Sequence, residues 1–291
     1  MESIVANAFA KLNLGLKVCH KRKDGYHAIK TVFQQIDIYD RIIFEPRSEG
    51  FHLNCPNTGA KEDNLIYQAY NMLKRDFSEM KGLYVLVEKN IPVAAGLAGG
   101  SADAAATLIA LNELYKLNID SEKMSEYALR LGSDVPFMLQ GGSAVGTGRG
   151  EELSKIEVPR ICGVLINPGF GVSSAEMYSS LEWPLEDNPI EMAIEALEAG
   201  DFDSFSKYCG NDLAKPLINQ YPELNDYLDL LLDNGAFVAM PSGSGPTLWG
   251  LFHEESEAVA AENKLKSKAP FVKFFKTCPK EQGILLERNN I

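Results

Sequence analysis

Pro92-Val93-Ala94-Ala95-Gly96-Leu97-Ala98-Gly99-Gly100-Ser101 joins an apolar run to a helical pattern, and it is the strongest chemical signal in the chain. Gly96, Gly99 and Gly100 carry no Cβ to hold a ligand off the backbone. Ser101 is a good N-cap for a helix with Ala104, Leu108, Leu111 and Tyr115 on one face, whose free N–H groups suit phosphate. No Lys-Ser/Thr pair follows the glycines and their spacing is not that of a dinucleotide loop, so neither standard phosphate signature is present. A flexible turn capped by serine fits the same residues.

Three other places carry chemistry. Ala8, Ala10, Leu12, Leu14, Leu16 and Val18 alternate with Lys11, Asn13 and Lys17, which predicts a half-buried strand with an ammonium and an amide pointing the same way. Asp24-Gly25-Tyr26-His27 places a turn, a ring able to stack and an imidazole able to hydrogen-bond beside the basic run Lys21-Arg22-Lys23. In Ser133-Asp134-Val135-Pro136, the proline pushes its predecessor toward extended geometry, so Asp134 is expected where a helix gives way to a strand. A solvated strand face, a solvated basic loop and a turn aspartate are the corresponding structural readings.

The elements that must position these residues read as an α+β pattern. Residues 32–44 suggest one or two strands. A helix capped by Asp63 carries Leu65, Ala69, Met72 and Leu73, and Leu83 to Glu88 is the strand before the glycine loop. A helix from Ser121 stops at Gly132, and Gly141 to Gly150 reads as a strand and tight hairpin. The second half opens with a strand at Val164 to Asn167 and a capping box of Ser173 and Glu176. A helix through Leu224, Leu228 and Leu231 precedes two strands, at Ala236 to Met240 and Thr247 to Phe252, which flank Pro241-Ser242-Gly243-Ser244-Gly245-Pro246. A helix from about Glu255 to Lys266 and a strand at Phe271 to Phe275 follow. A boundary near Pro159 gives two domains, 1–158 and 159–291.

Composition narrows the function. With 291 residues, 45% hydrophobic content and no apolar run near the length of a membrane helix, a two-domain soluble protein is expected. No export signal is visible, which makes the cytoplasm the expected location. A formal net charge of -12 argues against a nucleic-acid surface, so any phosphate must be bound by local groups. Five widely spaced cysteines without a Cys-x-x-Cys pair leave no basis for a zinc site or disulfide framework.

Ala10-Lys11-Leu12-Asn13, the loop from Pro92 to Ser101 and Gly243-Ser244-Gly245-Pro246, in that order, resemble the three motifs of the GHMP kinase superfamily. Asp24-Gly25-Tyr26-His27, Gly132-Ser133-Asp134-Val135-Pro136-Phe137 and Gly148-Arg149-Gly150-Glu151 are similar to a branch whose small-molecule alcohol substrate carries a cytidine diphosphate. The resemblance implies a two-domain GHMP kinase fold, ribosomal-protein-S5-like in the N-terminal half and ferredoxin-like in the C-terminal half. It implies phosphoryl transfer from ATP, with Mg2+, on a route to isoprenoid precursors. Asp134 would be the base and Lys11 would pair with it and stabilise charge on the phosphoryl group. Pro92, Val93, Ala94, Ala95, Gly96, Leu97, Ala98, Gly99, Gly100, Ser101 and Ala102 would hold the nucleotide, with Asn64 and Lys89 near it. Asn13, Tyr26, His27 and Tyr178 would bind substrate, the two tyrosines stacking on the cytosine.

Two residues depart from the pattern. Ala102 stands where the superfamily usually has a second hydroxyl, leaving Ser101 to supply that contact. Asp103, in the first helical turn, would repel phosphate if it faced the loop, and is expected to point away. A GHMP kinase for homoserine or mevalonate would have no use for the stacking set, and a nucleotide-binding regulator would have none for Lys11 and Asp134.

Overall fold

A computed structural model describes residues 2–56, 60–278 and 284–290. Two strands dominate it, β1 (Glu2–Lys21) and β2 (His27–Arg47), paired antiparallel along their length. The segment 32–44 is therefore a single strand. Its two ends serve different neighbours: residues 41–47 pair with β4 (Gly82–Glu88), and 31–34 pair with β5 (Ser143–Thr147). β3 (Phe51–Asn54) joins β4 in parallel, β6 (Glu152–Lys155) joins β5, and the chain's last strand, β11 (Leu285–Asn290), returns to pair with β1. The result is a seven-stranded sheet.

Helices cover one face of this sheet. α1 (Leu65–Asp76) is capped by Asn64, whose side chain accepts from the Ile66 N–H at 2.9 Å, and not by Asp63. α2 (Gly99–Tyr115) is buried nearly all round, which explains why its sequence shows little polarity contrast. α3 (Ser121–Leu131) ends at Gly132 as expected. The strand expected after Asp134 is a short helix instead, α4 (Val135–Gln140). Proline is tolerated in a first helical turn, where its missing N–H would have no partner, and this overrides the extended bias on Val135.

The second half builds a four-stranded antiparallel sheet in the order β10 (Phe271–Lys276), β7 (Cys162–Asn167), β9 (Leu248–Phe252), β8 (Val238–Pro241). α5 (Ser174–Ser179), α6 (Ile190–Ala199), α7 (Phe202–Tyr208), α8 (Ala214–Gln220), α9 (Leu224–Asp233) and α10 (Glu255–Leu265) accompany it. Mixed helix and strand content in these two halves agrees with the α+β pattern expected from the sequence. We propose 158/159 as the division between them, with residues 285–290 crossing back to the first sheet.

The halves share a core. Ala10, Leu12, Leu14 and Ile36 of the first sheet pack in one cluster with Leu165, Trp249 and Phe275 of the second. Trp249 is fully buried and its indole N–H donates to the Asn13 carbonyl at 3.1 Å. This packing changes the reading of β1. Its polar face is covered as well as its apolar one, and Lys11 and Asn13 are 5% and 3% exposed. Of Lys11, Asn13 and Lys17, it is Lys17 that stays partly open. Alternation reveals that a strand has two chemically different faces, but not whether a second domain closes over the polar one.

Candidate active site

The glycine loop leaves β4 and enters α2 through backbone turns that side chains rarely take. Gly96, Ala94 and Ala98 have φ of 79°, 52° and 54°. For the two alanines this left-handed conformation is strained by roughly 1–2 kcal/mol each, so the surroundings must hold it. They do so by claiming four consecutive carbonyls. Ala94 C=O accepts from Val172 N–H (3.1 Å), Ala95 from Thr247 N–H (3.3 Å), Gly96 from the Ser242 hydroxyl (2.9 Å) and Leu97 from Lys11 N–H (3.2 Å). With its carbonyls turned to protein donors, the loop offers no row of oxygens to repel an anion.

Ala98 is the residue preceding the helix, and Ser101 lies within the first turn, so the expected serine cap is not formed. The first intrahelical bond is Ala102 N–H to Ala98 C=O. The N–H groups of the residues before it are the orphan donors of a helix start. Ser101 lines the cleft that also holds Lys11 and Asp134. Asp103, two residues on, faces the other way, as expected: it is buried and its carboxylate pairs with Lys89 at 2.8 Å.

Lys89 also pairs with Asp40 at 2.5 Å, and its side chain is only 9% exposed. Its ammonium, assigned to the nucleotide from sequence, is engaged by two carboxylates. Burial works against its charge, but Asp103 and Asp40 outweigh it and hold the lysine above its ordinary value. The same burial pushes the Asp103 carboxyl up, against the pull of Lys89. Asn64, also assigned to the nucleotide, uses its carbonyl oxygen as the α1 cap.

The chemistry converges in a cleft of about 940 Å³ between the halves. Lys11 Nζ lies 3.7 Å from Asp134 Oδ2, 2.6 Å from Asn13 Oδ1 and 5.2 Å from the Phe33 ring centre. Lys11 reaches this place from a strand irregularity: the β1–β2 register shifts between Phe9 and Lys11 and again between Asn13 and Gly15. Such shifts re-aim side chains. Burial lowers the Lys11 pKa, with Asp134 opposing. Asp134, at the start of α4, keeps 34% of its side chain exposed to the cleft.

The third glycine loop closes the site from the second half. Gly243 has φ of +59°, and a Cβ there would stand 2.7 Å from Asn13 Oδ1. A Cβ on Gly245 would collide with the backbone of Ala95 and Gly96. These two glycines let the loop pack against the Lys11–Asn13 pair and the first glycine loop at once. Ser242 joins all three, accepting from Asn13 N–H at 3.3 Å while donating to Gly96.

Across the cleft stand the rings. Tyr26 is 56% exposed, and the Arg149 guanidinium lies 4.8 Å from its ring centre. His27 stacks on Tyr178, with centroids 5.3 Å apart and an interplanar angle of 16°. Burial, then Lys21, push His27 below its ordinary value, so it is a neutral imidazole at pH 7 with one donor and one acceptor. Burial and the nearby Asp134 and Asp212 raise Tyr178, which stays a phenol. A second cleft of about 720 Å³, between residues 180–189 and α7–α8, contains neither Lys11 nor Asp134.

Sequence reasoning missed Thr31, Asp40, Ser242 and the Arg149 side chain. Thr31 and Ser242 occupy positions with no local signature, because their partners lie 18 and 146 residues away. Arg149 was visible within a hairpin motif, but its place above Tyr26 depends on how two turns meet.

A buried lysine beside an open carboxylate, facing a helix N-terminus behind a glycine loop, is the site of a small-molecule phosphotransferase. Residues 64–142 match the GHMP kinases N terminal domain, and residues 193–270 match the GHMP kinases C terminal domain. The chain belongs to the GHMP kinase family. A relative from Caldanaerobacter subterraneus subsp. tengcongensis, a 4-diphosphocytidyl-2-C-methyl-D-erythritol kinase, is 40% identical over 96% of this chain and 98% of its own. A crystal structure of 4-(cytidine 5'-diphospho)-2C-methyl-D-erythritol kinase superposes with a TM-score of 0.82 at 32% identity, covering 94% of this chain and 98% of that one. Homoserine kinase from Cytophaga hutchinsonii shares the fold, with a TM-score of 0.78 at 16% identity over 98% of this chain and 97% of its own.

Proposed function

We propose that the chain is an ATP-dependent kinase that phosphorylates the 2-hydroxyl of 4-diphosphocytidyl-2-C-methyl-D-erythritol, in the non-mevalonate route to isoprenoid precursors. The observation that carries this reading is the Lys11–Asp134 pair, set in one cleft with Ser101 on one side and Tyr26, His27 and Tyr178 on the other. Homoserine and mevalonate are not favoured as substrates, because homoserine kinase and a mevalonate kinase share this fold at 16% and 19% identity, well below the cytidine-specific relatives.

In this mechanism the ATP phosphates lie against the first turn of α2, where backbone N–H groups and the helix dipole favour negative charge. Mg2+ would come with ATP as part of the co-substrate and would offset negative charge on its phosphates. Among the described residues no group of three His, Cys, Asp or Glu could cage a metal. Asp134 takes the proton of the attacking hydroxyl, and Lys11 neutralises charge that grows on the transferring group. The cytosine stacks on Tyr26 and Tyr178, and His27 supplies a donor and an acceptor to its polar edge. Among the described residues no helix is long and apolar enough to cross a membrane. A cytoplasmic enzyme acting on a small molecule, rather than on nucleic acid or a membrane, completes the reading.

The test is ADP release from Mg·ATP with the cytidine substrate, homoserine and mevalonate in parallel. Turnover with the cytidine compound alone is expected, and turnover with either of the others at a comparable rate would overturn the assignment. Tyr26→Ala should raise the KM for the cytidine substrate about tenfold while changing kcat little, since stacking serves binding rather than the chemical step.

A further inference from the structure

Asn13 was assigned to the substrate from sequence, yet both ends of its amide are engaged inside the protein. Its oxygen accepts from Lys11 Nζ at 2.6 Å, and its nitrogen donates to Thr31 Oγ1 at 2.7 Å. Thr31 in turn donates its hydroxyl hydrogen to the Gly15 carbonyl at 2.6 Å. Asn13 and Thr31 are buried, with Thr31 at 0% exposure.

The order of donors in this chain follows from proton counting. A hydroxyl has one hydrogen, and the Gly15 carbonyl can only accept, so it takes that hydrogen. Thr31 Oγ1 is then left with lone pairs and can face only a donor. That requirement turns the Asn13 NH2 toward Thr31 and its oxygen toward Lys11. Without the hydroxyl, the amide loses the contact that selects this orientation, and the flipped form would set an NH2 against an ammonium.

We propose that Thr31 is a positioning residue of the phosphoryl-transfer site: through Asn13 it fixes an acceptor on Lys11 and so keeps that lysine charged and aimed at the reacting group. This inference rests on Lys11 being the cation of the proposed reaction. The Asn13/Gly15 register shift is what makes the chain of contacts possible, since it brings Thr31, Asn13 and Gly15 together on adjacent strands. Burial alone already lowers the Lys11 pKa, so a fixed acceptor on its ammonium has a charge state to defend. From the other elements, Asp134 of α4 is the carboxylate within ion-pair distance, and Tyr178 of α5, His27 of β2 and Arg149 of the β5–β6 turn share the cleft. Lys21, Asp24 and Tyr26 line the same cleft from the β1–β2 turn.

The test compares Thr31→Val and Thr31→Ala, which lose the hydroxyl, with Thr31→Ser, which keeps it. Without the hydroxyl, kcat/KM at neutral pH should fall about tenfold and its high-pH limb should move down by about one unit, the scale of one hydrogen bond to a charged group. Thr31→Ser should retain the wild-type profile. Lys11 is also titrated directly by NMR of 13C-lysine-labelled protein, a measurement that needs no turnover. Its pKa should fall in the valine and alanine variants whether or not the cytidine compound proves to be the substrate. Alanine stands in for valine if the valine variant does not fold. A Lys11 titration unchanged in the hydroxyl-free variants, or shifted equally in Thr31→Ser, would overturn the proposal.

Discussion

Two lysine–aspartate assemblies flank the first turn of α2, built from the same residue types for opposite ends. In one, Lys89 is clamped between Asp40 and Asp103, at 2.5 and 2.8 Å, with every partner nearly sealed from solvent. In the other, Lys11 meets a single carboxylate at 3.7 Å, and that carboxylate, Asp134, is one-third open to the cleft. The first assembly is closed. Asp40 also accepts from the N–H groups of Asn90 and Ile91 at 2.6 and 2.9 Å, so it ties β2 to the entrance of the glycine loop. The second keeps an oxygen facing the cleft. Asp40 commits both its oxygens to structure, as the cost of an unpaired buried charge demands, whereas Asp134 leaves lone pairs free toward the cleft. The helix enforces the separation: residues two apart, such as Ser101 and Asp103, point to different sides.

Breaking the closed assembly should have the largest effect on stability. Lys89→Met leaves two buried carboxylates without a cation, and a loss of about 3 kcal/mol or more is expected in urea denaturation. If Lys89 instead served chiefly to bind nucleotide, the KM for ATP would rise far more than stability falls. Breaking the open assembly should do the reverse. Asp134→Asn is expected to lower kcat by about two orders of magnitude, the scale of a lost general base, with little change in the unfolding midpoint. Near-normal turnover would remove Asp134 from the mechanism.

The smallest effect sharpens the comparison through pH. The folded state raises Asp103 to about 7, chiefly by burial, so between the ordinary carboxylate range and that value the folded protein binds the proton more tightly than the unfolded chain does. Stability conferred by that proton is therefore present at low pH and lost as pH rises through this window. Asp103→Asn should flatten the wild-type decline by up to about 1 kcal/mol per pH unit, measured as the difference in unfolding free energy between pH 5 and 7. A parallel pair of curves would mean that Asp103 does not titrate in the fold.

Much of the site was legible because its motifs are local. The glycine loop, Lys11 beside Asn13, and Tyr26 beside His27 each lie within a few residues, so spacing marks them as candidates and the resemblance to the GHMP kinases supplies their roles. Asp134 also stands in a local motif, but Pro136, whose bias on its predecessor predicts a strand, opens a helix instead. The cap of α1 was misplaced by one residue because Asp63 and Asn64 have equivalent capping chemistry, and only backbone geometry chooses between them.

By itself the sequence determined the α+β order and marked a glycine loop at the head of a helix as a candidate phosphate site, since these depend on periodicity and glycine conformation over short stretches, while the phosphotransferase reading came from the resemblance to the GHMP kinases. Only the tertiary structure decided which partners each polar group meets. Lys11 and Lys89 look alike in a sequence. Their charges are put to different use by Asp134, Asp40 and Asp103, which come to them across 123, 49 and 14 residues. Electrostatic energy depends on distance and burial, and both are set by how the two halves close over β1.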